Sequence, residues 1–242
     1  MKIFNHVGII EPIQMETVTI DSRRHYITPT GNKHKSVTTV ISNNPKKVQV
    51  IQRWRERVGY AEANRISSRS TTRGNRYHKL VENYLNNEHD PNLYQEYPLV
   101  WVMFNSSLKV LNNINNIYLQ EAALYSDYLK IAGRVDCIAE YNGKLSIIDF
   151  KTSAEEKKEE YLYDYYVQEI AYACMLQELY GLKVEQLVTI VACESGDVQV
   201  SIVPPKKEYF VTLQRYLREY EETYDRKFGG EVHDNCEVLA GS

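Results

Sequence analysis

The dipeptide Asn142-Gly143 separates two runs of β-like character, residues 131–141 and 144–151. A two-residue turn of this composition accepts the left-handed backbone that a tight antiparallel hairpin needs, so it sets the register of the strands on either side. Tyr141 then faces Lys144, and counting back places Asp136 opposite Asp149. Unless a bulge intervenes, both carboxylates point to one face, with β-carbons about 4.5–5.5 Å apart. Lys151 stands two residues beyond Asp149 and shares that face. Carboxylates this close repel unless positive charge lies between them. Either Lys151 neutralises them on an exposed sheet face, or the acids hold a divalent cation, and hard oxygen ligands suit Mg²⁺ or Mn²⁺. Such an ion would acidify a bound water and polarise a phosphoryl oxygen, with Lys151 orienting the water or meeting the charge that develops.

Around the hairpin the period of the apolar residues changes. Residues 45–70 predict a helix, with Val48, Ile51, Trp54, Val58 and Ala61 on one face. Thr71 or Thr72 can cap a second helix reaching residue 86, and residues 92–116 predict a third. Before them, residues 36–42 are rich in β-branched side chains, suiting a short strand or a loop that opens the helix at Pro45. Residues 119–126 predict the strand preceding the hairpin. After it come a long helix over 156–180 capped by Gly181, strands over 186–193 and 198–203, and a helix from Pro204-Pro205 to residue 227. The order gives an α/β chain with a mixed sheet between helices.

Charge is divided unevenly. Residues 1–80 hold 15 Lys and Arg against 5 Asp and Glu, whereas the remainder holds 14 against 27. A basic half on a chain of net charge −3 suits a polyanionic partner, or the two halves neutralise each other across the fold. No apolar run approaches the roughly 18–20 residues that span a bilayer, and no signal-peptide pattern opens the chain, so a cytoplasmic protein without a membrane partner is expected. The four cysteines, Cys137, Cys174, Cys193 and Cys236, form no C-x-x-C pair and are expected as reduced thiols.

Four short motifs in order then resemble the RecB-type exonuclease branch of the P-D-(D/E)-x-K, or restriction-endonuclease-like, superfamily. They are Arg73-Gly74-Asn75-Arg76-Tyr77-His78, Gly133-Arg134-Val135-Asp136, Asp149-Phe150-Lys151 and Gln168-Glu169-Ile170-Ala171-Tyr172. Residues 35–41 and the Trp54-Arg55 helix add similarity to the mitochondrial genome-maintenance and related phage exonucleases. Val135 stands where the superfamily's name has proline, as in many RecB-type members, and the cysteines do not provide for the iron–sulfur cluster of others.

The resemblance implies an αβββαβ core with a mixed central sheet flanked by helices, plus a helical N-terminal extension. Residues 1–70 would be a basic DNA-path segment with a helix packed on the core, 71–228 the nuclease core and 229–242 a flexible tail. It implies Mg²⁺- or Mn²⁺-dependent hydrolysis of DNA, with single strands or strand ends preferred, in phage-type recombination or processing. No obligate protein partner is implied. Asp136, Asp149, the Phe150 carbonyl and His78 would ligate metal, with Glu121 a candidate for a second ion or water. Lys151 would act on the attacking water, and Gln168 and Tyr172 would position Lys151 and the substrate backbone. Arg24, Lys33, Lys35, Arg53, Arg73 and Arg76 would line a phosphate path, with Ser36, Thr38 and Thr39 donating to phosphate oxygens. An endonuclease or RNA-directed nuclease on the same fold, and a non-catalytic DNA-binding protein, are the alternatives.

Overall fold

Every residue of Gln186–Cys193 is buried, the signature of a strand covered on both faces. In the computed structural model, which describes residues 2–88 and 96–225, this strand lies inside an eight-stranded sheet. The elements are β1 (Glu16–Ile20), β2 (Arg23–Ile27), β3 (Lys33–Ser36), α1 (Val37–Ser42), α2 (Pro45–Val58), α3 (Tyr60–Leu85) and α4 (Pro98–Leu111). Then follow β4 (Ile114–Ser126), β5 (Ile131–Tyr141), β6 (Lys144–Ser153), α5 (Glu159–Tyr180), β7 (Gln186–Cys193), β8 (Val198–Val203) and α6 (Lys207–Tyr220). A π-helical turn, Glu221–Asp225, extends α6.

The sheet runs β1-β2-β3-β5-β6-β7-β8, with β4 also paired to β5. It is mixed: β3 with β5 and β6 with β7 are parallel, and the other pairs antiparallel. Each face carries its own core. On one, α1, α5 and α6 pack Val37, Tyr172, Met175 and Leu213 against Ile138, Ile147 and Leu187. On the other, α3 and α4 pack Tyr77, Leu85, Met103 and Phe104 against Cys137, Ile148 and Val188. This is the expected α/β arrangement.

Several sequence expectations need correction. The β-branched run after Ser36 is neither strand nor loop. It forms α1, because Val37, Val40 and Ile41 fall on one helical face and are all buried, and burial outweighs β-propensity. The first long helix ends at Val58, and α3 runs unbroken through residues 70 and 71. The break is Gly59, whose φ of 87° and ψ of 141° only glycine adopts without strain. Nor is α2 packed on the core: it lies against α3 and buries none of its residues. The N-terminal extension is partly β, since β1 and β2 continue the sheet through β3. β4 begins at Ile114, and among the described residues α4 covers only Pro98–Leu111 of the predicted third helix, whose residues 92–95 lie outside the described ones. The predicted tail lies outside the described residues.

Among the described cysteines, Cys137 and Cys193 are buried, Cys174 is half-buried and all three are free thiols; Cys236 lies outside the described residues. No helix among the described residues is long and apolar enough to cross a membrane.

Candidate active site

The hairpin turns as predicted, with Asn142 and Gly143 at φ 52° and 78°. Its register holds from Tyr141↔Lys144 to Cys137↔Ile148 and then stops. Asp136 and Asp149 are therefore not a ladder pair. Beyond Cys137 the strands part, and the edge of β5 that β6 leaves is taken up by β3 at Ile131 and Ala132. Asp136 stands in this fork, its Oδ2 accepting the Phe150 N–H at 2.8 Å.

The strands also switch faces here. Val135 belongs to the core beneath α5, yet Cys137 belongs to the core beneath α3. In a regular strand residues two apart share a face, so the phase breaks at Asp136. β4 breaks opposite it: Leu119 and Ala122, three apart, lie in the same core. Between them Glu121 takes a φ of 46°, and its carbonyl accepts from Arg134 Nη1 at 3.0 Å. A non-glycine residue in this region is held at a cost, and such positions cluster at functional sites.

The paired kinks bring Glu121 and Asp136 to His78 of α3. His78 Nδ1 lies 3.7 Å from Asp136 Oδ2 and 3.9 Å from Glu121 Oε1. One ligand atom from each of the three falls within 4.8 Å of the others. Burial opposes charge on His78, but the Asp136 and Glu121 carboxylates raise its pKa above the ordinary range. The Phe150 ring meets the imidazole edge-on at 6.4 Å. Two carboxylates and an imidazole, partly buried and mutually close, fit a divalent cation.

Asp149 lies deeper, 2% exposed. Burial pushes its carboxyl up to about 6, against the pull of Lys151. Lys151 Nζ forms a close ion pair with Asp149 Oδ2. Burial disfavours its charge, but Asp149 and Asp136 prevail and hold the ammonium above its usual range. Gln168 donates from Nε2 to Asp149 Oδ1 at 3.0 Å, so it positions Asp149 rather than Lys151. Lys151 is flanked instead by the Tyr165 ring, 5.2 Å from Nζ.

Tyr172 explains the glycine that opens the second motif, Gly133. A β-carbon at Gly133 would come within 2.8 Å of Tyr172 Cε1 and 3.0 Å of its hydroxyl, so the phenol ring lies directly on the strand backbone.

Tyr165, Glu169 and Thr189 escaped the sequence reading. Glu169 is wholly buried and accepts from Thr189 Oγ1, while Thr189 stands beside Asp149 across the parallel pair β6–β7. Burial, reinforced by Asp149, drives the Glu169 pKa well up. Its signal in the sequence is an acid inside the apolar stretch from Val167 to Met175, since unpaired carboxylates are almost never fully buried.

The residues expected to line a phosphate path differ in exposure and in partners. Arg24 and Lys33 are exposed on β2 and β3. Lys35 is 8% exposed, paired with Glu221 at 2.8 Å and set over Tyr220, which gives it a structural role. Ser36 is buried and hydrogen-bonded to Thr38, and Thr38 and Thr39 lie in α1, where they are at least partly buried. Arg53 is exposed on α2. Arg73 bonds Thr152 Oγ1 at 3.2 Å and pairs with Glu194, and Arg76 lies 4.0 Å over Tyr97.

The sheet, the kinked carboxylates and the Asp149–Lys151 pair define a nuclease scaffold. The sequence matches the PD-(D/E)XK nuclease superfamily over residues 52–238, and the chain belongs to that superfamily. Among individual relatives, mitochondrial genome maintenance exonuclease 1 of Mus musculus is 30% identical over 177 residues, 68% of this chain and 51% of the relative. The Homo sapiens protein of that name is 30% identical over 131 residues, 50% of this chain and 37% of its own length. The Xenopus tropicalis protein is 28% identical over 177 residues, 66% and 49% respectively. The chain thus spans about half or less of the length of these curated relatives.

Proposed function

We propose that this chain is a metal-dependent exodeoxyribonuclease that hydrolyses phosphodiester bonds, prefers single-stranded DNA or strand ends, and serves phage-type recombination or DNA processing. The observation that carries the reading is the meeting of His78, Glu121 and Asp136 within 4.8 Å beside the buried Asp149–Lys151 pair. The ion would be Mg²⁺ or Mn²⁺, held by Asp136 and His78 with Glu121, Asp149 and the Phe150 carbonyl completing the set. When bound, it supplies an acidified water and a Lewis acid at the phosphoryl oxygen.

The side chains do the rest. Lys151 is held as an ammonium by its acidic neighbours, so it donates to the reacting phosphate and meets developing charge rather than taking a proton. Gln168 keeps one Asp149 oxygen engaged and leaves the other for Lys151. Tyr172 fixes the β5 backbone three residues ahead of Asp136. The exposed Arg24 and Lys33, with Arg53, Arg73 and Arg76, attract the strand, so binding weakens as salt rises through counterion release. The names of the curated relatives support exonuclease action.

An end-labelled single-stranded oligonucleotide tests the reading, incubated with Mg²⁺, with Mn²⁺ and with EDTA beside a circular single strand. Metal-dependent shortening of the linear strand and survival of the circle are expected. Cutting of the circle would replace the exonuclease with an endonuclease. No cleavage of DNA under any metal would overturn the enzyme reading.

A further inference from the structure

Outside the metal cluster, α3 and α4 enclose an open cleft of about 490 Å³. Arg69, Arg73 and Arg76 of α3 line one wall, and Glu96, Tyr97 and Leu99 the other, so three cations face one carboxylate. Successive helical residues turn about 100°, so these arginines lie roughly 140–180° around α3 from His78. The cleft therefore opens on the flank of α3 turned away from the metal cluster, on the order of one helix diameter, about 10 Å, from it. It is tied to the catalytic strand nonetheless, because Arg73 bonds Thr152, the residue after Lys151.

Two of its arginines converge on a carboxylate at the cleft's edge, Glu194, which is not part of the lining, and the third stacks on an aromatic ring. Arg69 Nη2 reaches Glu194 Oε2 at 3.0 Å, and Arg73 Nη1 bonds the other oxygen of that carboxylate. Two guanidinium groups converging on two oxygens of one anionic group are the geometry that holds a phosphate. The Arg73 side chain is only 10% exposed, whereas that of Arg69 is 60% exposed, so the fork has a fixed tine and a movable one. Beside it the Arg76 guanidinium lies over the Tyr97 ring at 4.0 Å, with Arg76 itself exposed. The Tyr97 ring packs against the core beneath α3 and α4, so a further planar group would stack on the outer face of the exposed Arg76 guanidinium.

We propose that this cleft is a second contact point for the single strand, taking one nucleotide remote from the bond that is cut. The phosphate displaces Glu194 from Arg69 and Arg73, and the base stacks on the Arg76–Tyr97 pair. The proposal rests on the single-strand reading above and adds that substrate is gripped on both flanks of α3. A strand too short to reach across the helix leaves the cleft empty, so affinity must rise with length.

The test is fluorescence anisotropy of labelled oligothymidylates of 2, 6 and 12 nucleotides, in EDTA so that nothing is cut. Wild-type affinity is expected to climb between the shortest and longest. Tyr97→Ala and Arg76→Ala should each forfeit about tenfold of that increment, the scale of one base stack. Glu194→Gln should bind the 12-mer several-fold more tightly, a gain that misfolding cannot mimic. Tyr97→Ala and Arg76→Ala that bind every length as wild type does would overturn the proposal. So would loss of binding to a polyglutamate peptide with oligonucleotide affinity intact, which would assign the cleft to an acidic protein segment. Binding is read here without turnover and cleavage in the separate end-labelled assay above, so the outcomes separate: length-dependent loss of binding in the variants of a protein that does not cut would keep the subsite and discard the enzyme, and normal cleavage with no binding change in the variants would do the reverse.

Discussion

β7 and α2 are opposite extremes of the same chain. All eight residues of β7 are buried, and none of the fourteen in α2 is. β7 has a neighbouring strand on each edge and helices on both faces. α2 leaves Val50 64% and Ile51 42% exposed and is tethered to α5 through Lys47 and Asp164 at 2.8 Å. Packing at the sheet centre keeps Asp149, Glu169 and Lys151 close together, which no isolated hairpin would tolerate. On α2 there is little packing to lose, and Arg53 and Arg57 are exposed. A change at the centre should therefore alter chemistry and stability together, and a change on α2 should alter binding alone.

The largest expected effect is at the centre. Lys151→Ala removes the cation paired with Asp149 and should lower turnover of an end-labelled single strand by roughly 10³-fold, the scale for losing a preorganised charge-stabilising donor. The exposed arginines remain, so the variant should still bind DNA in a filter or anisotropy assay. A variant that cut at the normal rate would remove Lys151 from the chemistry. One that lost binding as well would erase the division between the two regions.

Next comes the contact that ties α5 to β5. Gly133→Ala places a methyl 2.8 Å from Tyr172 Cε1, and such overpacking costs about 1–3 kcal/mol. Denaturant unfolding should show that loss, and adding Tyr172→Leu should recover part of it, because the pair share one space. If the double variant were as unstable as the sum of the two single ones, the ring would not be what excludes a side chain at Gly133.

Much of this was legible beforehand, for a physical reason. β5, β7 and β8 match the predicted boundaries because alternating or continuous apolar residues between turn signals leave few other solutions. The Asn-Gly turn carried the register to Cys137↔Ile148. The fork beyond it was not legible, since β3 enters from more than ninety residues away in sequence. Glu121 and Asp136 both break alternation, but paired kinks preserve the cross-strand register, so Gln120↔Cys137 and Ala122↔Val135 look continuous. On the other side, β-propensity points away from the helix that α1 forms, and the apolar periodicity carries α2 past its true end. Nothing buried anchors the α2 pattern, and a single glycine decides where it ends.

A smaller effect concerns pH. The folded value of Asp149, about 6, lies above its ordinary 3.8. Its protonated form therefore favours the metal-free fold. That contribution is complete below about pH 4 and is lost as pH rises through 6. Glu169 shifts in the same direction. Asp149→Asn should be free of the penalty, so in EDTA its Tm should gain on wild type as pH rises from about 4 to about 6 and hold that lead above it. Adding Mg²⁺ or Mn²⁺ at pH 7 should raise the wild-type Tm and not that of the variant. A constant difference across pH would mean that Asp149 ionises without cost, and the sheet centre would be less committed than its burial suggests.

The smallest expected effect lies on α2, and it tests the comparison most directly. Arg53 is exposed and, among the described residues, makes no ion pair or hydrogen bond. Arg53→Ala should change unfolding free energy by less than about 0.5 kcal/mol, as surface substitutions do. Its trace should appear in the salt dependence of single-strand binding, where each phosphate contact contributes about 0.7 to the slope of log affinity against log salt. A slope reduced by that amount with an unchanged Tm would place α2 on the strand's path. An unchanged slope would take the helix off it and leave the flanks of α3 as the binding surface. A fall of about 2 kcal/mol in stability, far outside the surface range, would show that α2 supports the fold after all, and that its exposed face is not spare capacity for a ligand.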